Sequence, residues 1–125
     1  MNTPIKLRWV LAHIPYDLFL RSANIFAQKM REKSNGMVEI EIMGADTFAE
    51  KYAPGQVPED IEFMELVNNG TIEMSQMYNT RLLRYNNDMS VLELPFMFRD
   101  HEHAVKVLDG EIGLGMLRDL TKQSN

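Results

Sequence analysis

A chain of 125 residues has room for one domain around a single core. Its 45% hydrophobic and 25% charged residues are the balance of a soluble globular protein, and its net charge of −5 argues against nucleic acid or anionic lipid as a partner. With no cysteine there are no disulfides, no thiol chemistry and no cysteine-based zinc site.

Ile5 to Ala12 alternates, with Ile5, Leu7, Trp9 and Leu11 on one face and Lys6 and Arg8 opposite, which predicts a strand. Pro15-Tyr16-Asp17 breaks it, and Asp17 is expected to cap a helix over Leu18–Lys33 whose apolar stripe is Phe19, Ala23, Phe26, Ala27 and Met30. Asn35-Gly36 ends that helix, and Met37–Met43 alternates again through Val38, Ile40 and Ile42. Such a strand–helix–strand unit is expected to be parallel and right-handed.

Gly44 to Val57 reads as a polar, irregular stretch. Pro58-Glu59-Asp60 opens a second helix, with Ile61, Phe63, Met64, Leu66 and Val67 on its buried side and Asn69-Gly70 at its end. Thr71–Met77 is the third expected strand. The pattern β-α-β-α-β over the first 77 residues predicts an α/β fold with an open, mainly parallel sheet flanked by helices. Beyond it, Tyr78–Asn87 is a loop or short helical turn and Val91–Phe98 is expected to be extended, with Pro95 favouring an edge or a strand end. Asp100 is expected to cap a helix carrying Ala104, Val105, Val107 and Leu108, and Gly110–Leu120 forms another, weakened by glycines 110, 113 and 115.

Ligands of open parallel sheets bind outside the carboxyl ends of the strands. Those ends fall at Ala12–Tyr16, Gly44–Thr47 and Tyr78–Arg81. The third offers an aromatic face, an amide and a guanidinium in Tyr78, Asn79 and Arg81, a set suited to a small carboxylic acid. The alternative reading of Arg81 is an ordinary surface residue on a loop. His101-Glu102-His103 is better explained by a helix start than by a metal, because residues two apart on a helix diverge and no third ligand is nearby. Asp46 and Glu50 read as wet loop carboxylates, and the ten methionines as core filling. Ser75 and Ser90 lack a hydrolase setting, and no nucleotide-binding glycine motif occurs; Gly110–Gly115 has the wrong spacing. No cofactor and no enzyme activity are expected.

Three stretches together resemble the solute receptors of tripartite ATP-independent periplasmic (TRAP) transporters, the DctP-type family. They are Phe26-Ala27-Gln28-Lys29-Met30 with Lys33–Gly36 and Val38–Ile42, then Leu66–Met74, then Leu94-Pro95-Phe96-Met97-Phe98-Arg99-Asp100 running to Ala104 and Val107–Glu111. The resemblance implies one lobe, residues 1–125, of a periplasmic-binding-protein-like fold, incomplete beside the longer family members. It implies capture of a small organic acid for a membrane permease, with Tyr78 and Arg81 as ligand contacts and His13 after the first strand as a further one. A periplasmic location follows from the same resemblance. Met1-Asn2-Thr3-Pro4 carries no secretory signal, so a mature form is expected. A lobe lacking the family's returning segment is expected to leave an open sheet edge and to form a homodimer, with Val91–Phe98 the segment that rearranges. The rival to the homodimer is a marginal, partly disordered monomer, and the alternative to ligand capture is a self-associating interaction module that does not bind transport ligands.

Overall fold

The structure, a computed structural model, describes residues 3–13, 17–59 and 62–124. Two compact units follow one another, residues 1–77 and 78–125.

The first unit runs β1 (Ile5–Leu11), α1 (Asp17–Lys33), β2 (Val38–Gly44), α2 (Ala45–Tyr52), α3 (Glu62–Asn68) and β3 (Met74–Ser75). All pairings are parallel in the order β2-β1-β3. β1 and β2 run in step from Ile5 opposite Val38 to Leu11 opposite Gly44. Central β1 starts half wet, with Ile5 59% exposed, and ends dry at Val10 and Leu11. Both of its faces are covered, as parallel sheets require. On one, the Trp9 ring meets Phe26 of α1 edge to face at 5.6 Å, and Ala23 of α1 is buried. On the other, Val10 joins Met43, Phe48, Phe63 and Ile72 in the main core cluster.

Two expectations hold closely here. The α1 stripe and the Asn35-Gly36 stop are both present: Asn35 and Gly36 adopt φ of 51° and 78°, and Gly36 N–H returns to the Arg31 carbonyl at 2.8 Å. Gly70 (φ 76°) ends α3 in the same way, with Ile72 N–H on the Leu66 carbonyl at 3.1 Å. Asp17 is the first residue of α1 and sits in its first turn, where its charge suits the helix dipole. Pro15, Tyr16, Asp60 and Ile61 lie outside the described residues.

Three expectations are corrected. The stretch expected to be irregular from Gly44 holds the helix α2, anchored by buried Phe48 and Ala49. Ala45, Phe48, Ala49 and Tyr52 fall at i, i+3, i+4 and i+7, a helical face among polar neighbours. The third strand shrinks to Met74–Ser75. Ahead of it, the Glu73 carboxylate replaces a strand partner, accepting the backbone N–H of Arg8 at 2.8 Å. Finally, Val91–Phe98 is not extended. Its first residues belong to a 3₁₀ helix, Asn87–Glu93, and Phe96 takes a left-handed φ of 57° after Pro95.

The Glu73 carboxylate also accepts from Arg8 Nε at 3.0 Å and Nη2 at 2.8 Å, while Nη2 reaches the Thr71 carbonyl at 2.7 Å. The guanidinium lies 5.0 Å from the Tyr52 ring centroid, and the Tyr52 hydroxyl donates to Glu41 across β2. Arg8's hydrogen bond holds the Glu73 carboxyl below its ordinary range. A depressed carboxylate stabilises the fold in full above about pH 4–5, and that contribution is lost as pH falls through the folded value. Glu73→Gln should therefore cost about 1 kcal/mol at neutral pH, modest because solvent screens the pair. The cost should vanish in acid. Urea midpoints across pH check it; a constant difference would mean the charge is not responsible.

The second unit comprises 3₁₀ helices at Asn79–Arg84 and Asn87–Glu93, then α4 (His101–Leu108) and α5 (Glu111–Gln123). Asn86 is buried and caps the second 3₁₀ helix, accepting Asp88 N–H at 2.9 Å. Asp100 caps α4 as expected, accepting His103 N–H at 2.7 Å. Gly113 explains the glycine-rich start of α5: a Cβ there would overlap the Leu108 backbone carbonyl.

Candidate functional site

The strand order β2-β1-β3 contains a switch point. From β1 the chain passes to β2 on one side, and then returns to β3 on the other. The crevice of such a sheet opens at the carboxyl ends of the two strands that flank the reversal, here β1 and β3. Parallel pairing puts those ends side by side, with Val10 opposite Ser75.

At the end of β1, His13 is 8% exposed, and its ring sits 5.2 Å from that of Phe19 in α1. At the end of β3, the Ser75 hydroxyl donates to the Val10 carbonyl at 2.7 Å, which ties the two strand ends together. Ser75 is thus structural. Gln76 follows, and its Oε1 accepts the indole N–H of Trp9 at 2.8 Å. That bond fixes the amide, and it leaves Nε2 as a buried donor with no partner among the described residues. A buried amide donor without an acceptor costs about 1–3 kcal/mol, so such a group suits a site that a ligand completes. Sequence reading missed Gln76, because its orientation depends on a tryptophan in another strand.

Tyr78, Asn79 and Arg81 open the second unit. Tyr78 is 58% exposed and stands before the 3₁₀ helix Asn79–Arg84, with its carbonyl accepting Arg81 N–H at 3.0 Å. The tight 3₁₀ turn gathers these three residues within one winding of chain. Arg81 is half-buried, which shields its guanidinium from competing water.

The other sequence candidates do not build a site. Asp46 and Glu50 are exposed on α2, and Ser90 is exposed on the second 3₁₀ helix. His101 is exposed, while His103 Nδ1 accepts Arg99 N–H at 3.2 Å as part of the α4 start. Among the described residues no three His, Asp or Glu side chains gather around a point that could hold a metal. No described helix is long and apolar enough to cross a membrane.

An open parallel sheet with helices on both faces, and polar side chains at the carboxyl ends of its strands, is the architecture of a lobe of the periplasmic-binding-protein class. The family model for bacterial extracellular solute-binding proteins, family 7 (DctP), matches residues 15–125, and the chain belongs to this family. It is a family of transport receptors, not of enzymes. The C4-dicarboxylate-binding protein DctB of Bacillus subtilis is 31% identical over 101 residues, 81% of this chain and 26% of that protein. A TRAP periplasmic solute-binding protein of Sulfurospirillum deleyianum, solved with bound succinate, aligns with a TM-score of 0.73 at 25% identity, covering 96% of this chain and 36% of that one. The sugar-acid-binding protein DctPAm of Advenella mimigardefordensis, in complex with galactonate, shares the fold with a TM-score of 0.78 at 20% identity, over 98% and 37% of the two chains. The chain spans 28% and 26% of the length of the first two curated relatives it matches.

Proposed function

We propose that residues 1–125 serve as one α/β lobe of a receptor that captures a small organic acid in the bacterial periplasm for a TRAP-type permease. The observation that carries this reading is the switch-point crevice, where an indole-locked Gln76 amide keeps an unused buried donor beside the end of β1. Carboxylate oxygens are acceptors that such a donor can satisfy, and a guanidinium such as Arg81's pairs with them bidentately. His13, Tyr78, Asn79 and Arg81 are the proposed ligand contacts, with Gln76 added from the structure. No cofactor and no covalent step enter. The bound ligands of the relatives, succinate and galactonate, support the acid class.

Arg81→Ala should weaken binding of a dicarboxylate at least about tenfold, or about 1.4 kcal/mol. Titration of both forms with succinate, followed by amide chemical shifts, measures it. Equal affinities would remove Arg81 from the site.

A second reading, self-association into a homodimer, is favoured by the sheet edges. β2 and β3 have no outer neighbour among the described residues, and unpaired edges recruit other chains. Exposed apolar side chains in the second unit, such as Ile112 at 64% and Leu117 at 57%, point the same way. Sedimentation equilibrium should give twice the 14.5 kDa chain mass. A folded species that stays at the chain mass at high concentration would end this reading.

A further inference from the structure

Arg99, His103 and Lys106 succeed one another at spacings of four and three residues, which places them along one face of α4 and the turn before it. With Gly110 and Glu111 they line a shallow depression of about 480 Å³ where α4 gives way to α5. Four features make this more than a wet helix face.

The first is unused charge. Neither the Arg99 guanidinium nor the Lys106 ammonium has an ion-pair partner among the described residues. In a chain of net charge −5, with Glu102 and Asp109 close in sequence, two cations left open on one face are notable. The second is a fixed imidazole. Because His103 Nδ1 accepts the Arg99 backbone N–H, the neutral ring carries its proton on Nε2 and offers a donor there. The Phe98 ring packs T-shaped against it at 5.8 Å between centroids, and the Asp100 cap fixes the His103 backbone that carries it.

The third is the helix start. Gly110 precedes α5 with no side-chain cap, and a Cβ there would lie 2.7 Å from the Lys106 carbonyl. Glycine thus lets α5 begin hard against the Lys106 turn, with the positive end of a 13-residue helix at the same depression. The fourth is the donor balance: a guanidinium, an ammonium and an imidazole N–H face a single acceptor side chain, Glu111. Two cations and a neutral donor match a small dianion whose oxygens point in several directions.

We propose that this depression is a binding site for a small tetrahedral oxyanion of the phosphate class, held by Arg99, Lys106 and His103 and opposed by Glu111. It uses elements other than the 3₁₀ segment of Tyr78 and Arg81, and it stands apart from the carboxylate reading above. The ligand is a free solute and not a headgroup in a membrane, because the chain's negative net charge repels an anionic surface as a whole.

The test is calorimetric titration of the full chain with inorganic phosphate at constant ionic strength. Saturable binding is expected, weakened at least about tenfold in R99Q and in K106Q and tightened in E111Q, which removes the competing carboxylate. Circular dichroism of each variant confirms that it is folded, and neither cation's side chain takes part in the hydrogen bonds that shape α4. The proposal is overturned by any of three results: no saturable phosphate binding, binding that R99Q and K106Q leave unchanged, or binding to phosphatidylglycerol vesicles without binding of free phosphate.

Discussion

Phe63→Ala is expected to remove about 3–5 kcal/mol from the stability of the first unit. Phe63 is 1% exposed and, among the described residues, is the largest side chain buried so completely. It shares one buried cluster with Val10 of β1, Met43 of β2, Phe48 of α2 and Ile72 before β3, where the sheet and two helices close. Truncation deletes transfer energy and leaves a cavity that four separate segments would have to collapse into. A small domain has about 5–15 kcal/mol in all, so this variant should be near the edge of folding. Trp9 is the sole tryptophan and lies in β1, so its fluorescence in urea reports this unit alone. Phe96→Ala is the control: that ring is fully exposed, and its loss should change stability by no more than about 0.5 kcal/mol. A Phe63→Ala cost below about 1 kcal/mol would show that the cluster is not the core.

Gly113→Ala should destabilise the second unit by about 1–3 kcal/mol or more, reversing the usual sign. In a helix, alanine ordinarily gains about 1 kcal/mol over glycine. At Gly113 the added methyl would run into the Leu108 carbonyl, which is backbone and cannot swing aside. At Gly115 the nearest atom is the tip of the flexible Arg118 side chain at 3.7 Å, so Gly115→Ala should stabilise α5. Amide hydrogen exchange across α4 and α5 reads both variants. Two glycines two residues apart thus carry opposite predictions, and equal effects would refute the close approach at Leu108.

Periodicity made β1, α1, β2 and the Asp100-capped α4 legible, because each has an apolar repeat of the right period and a recognisable stop. α2 was hidden because Asp46, Thr47, Glu50 and Lys51 dominate its composition, while only Ala45, Phe48, Ala49 and Tyr52 carry the helical face. A third strand was legible over Thr71–Met77, but its shortness was not. Its length depends on Glu73 using its side chain where a strand would use its carbonyl, an exchange set by Arg8 65 residues away. Val91–Phe98 misled because an apolar run fits a strand or a compact turn equally well, and the left-handed Phe96 settles it only in three dimensions. Position after the third strand offered Tyr78, Asn79 and Arg81 as candidates, and the family resemblance added His13. Gln76 stayed invisible, since a glutamine after a strand is unremarkable until Trp9 is found donating to it.

A ¹⁵N-resolved NMR titration of the 125-residue chain with succinate tests the central claim most directly. One lobe encloses only one side of a small acid, whereas sites for small molecules bury most of the ligand's surface, so affinity should be weaker than micromolar and in fast exchange. The shifts should include the Gln76 side-chain amide, the Trp9 indole N–H that anchors it, and the backbone amides of His13, Tyr78, Asn79 and Arg81. Silence at all of these residues while the ligand saturates the chain elsewhere, or no binding at any concentration, would contradict a carboxylate site at the carboxyl ends of β1 and β3.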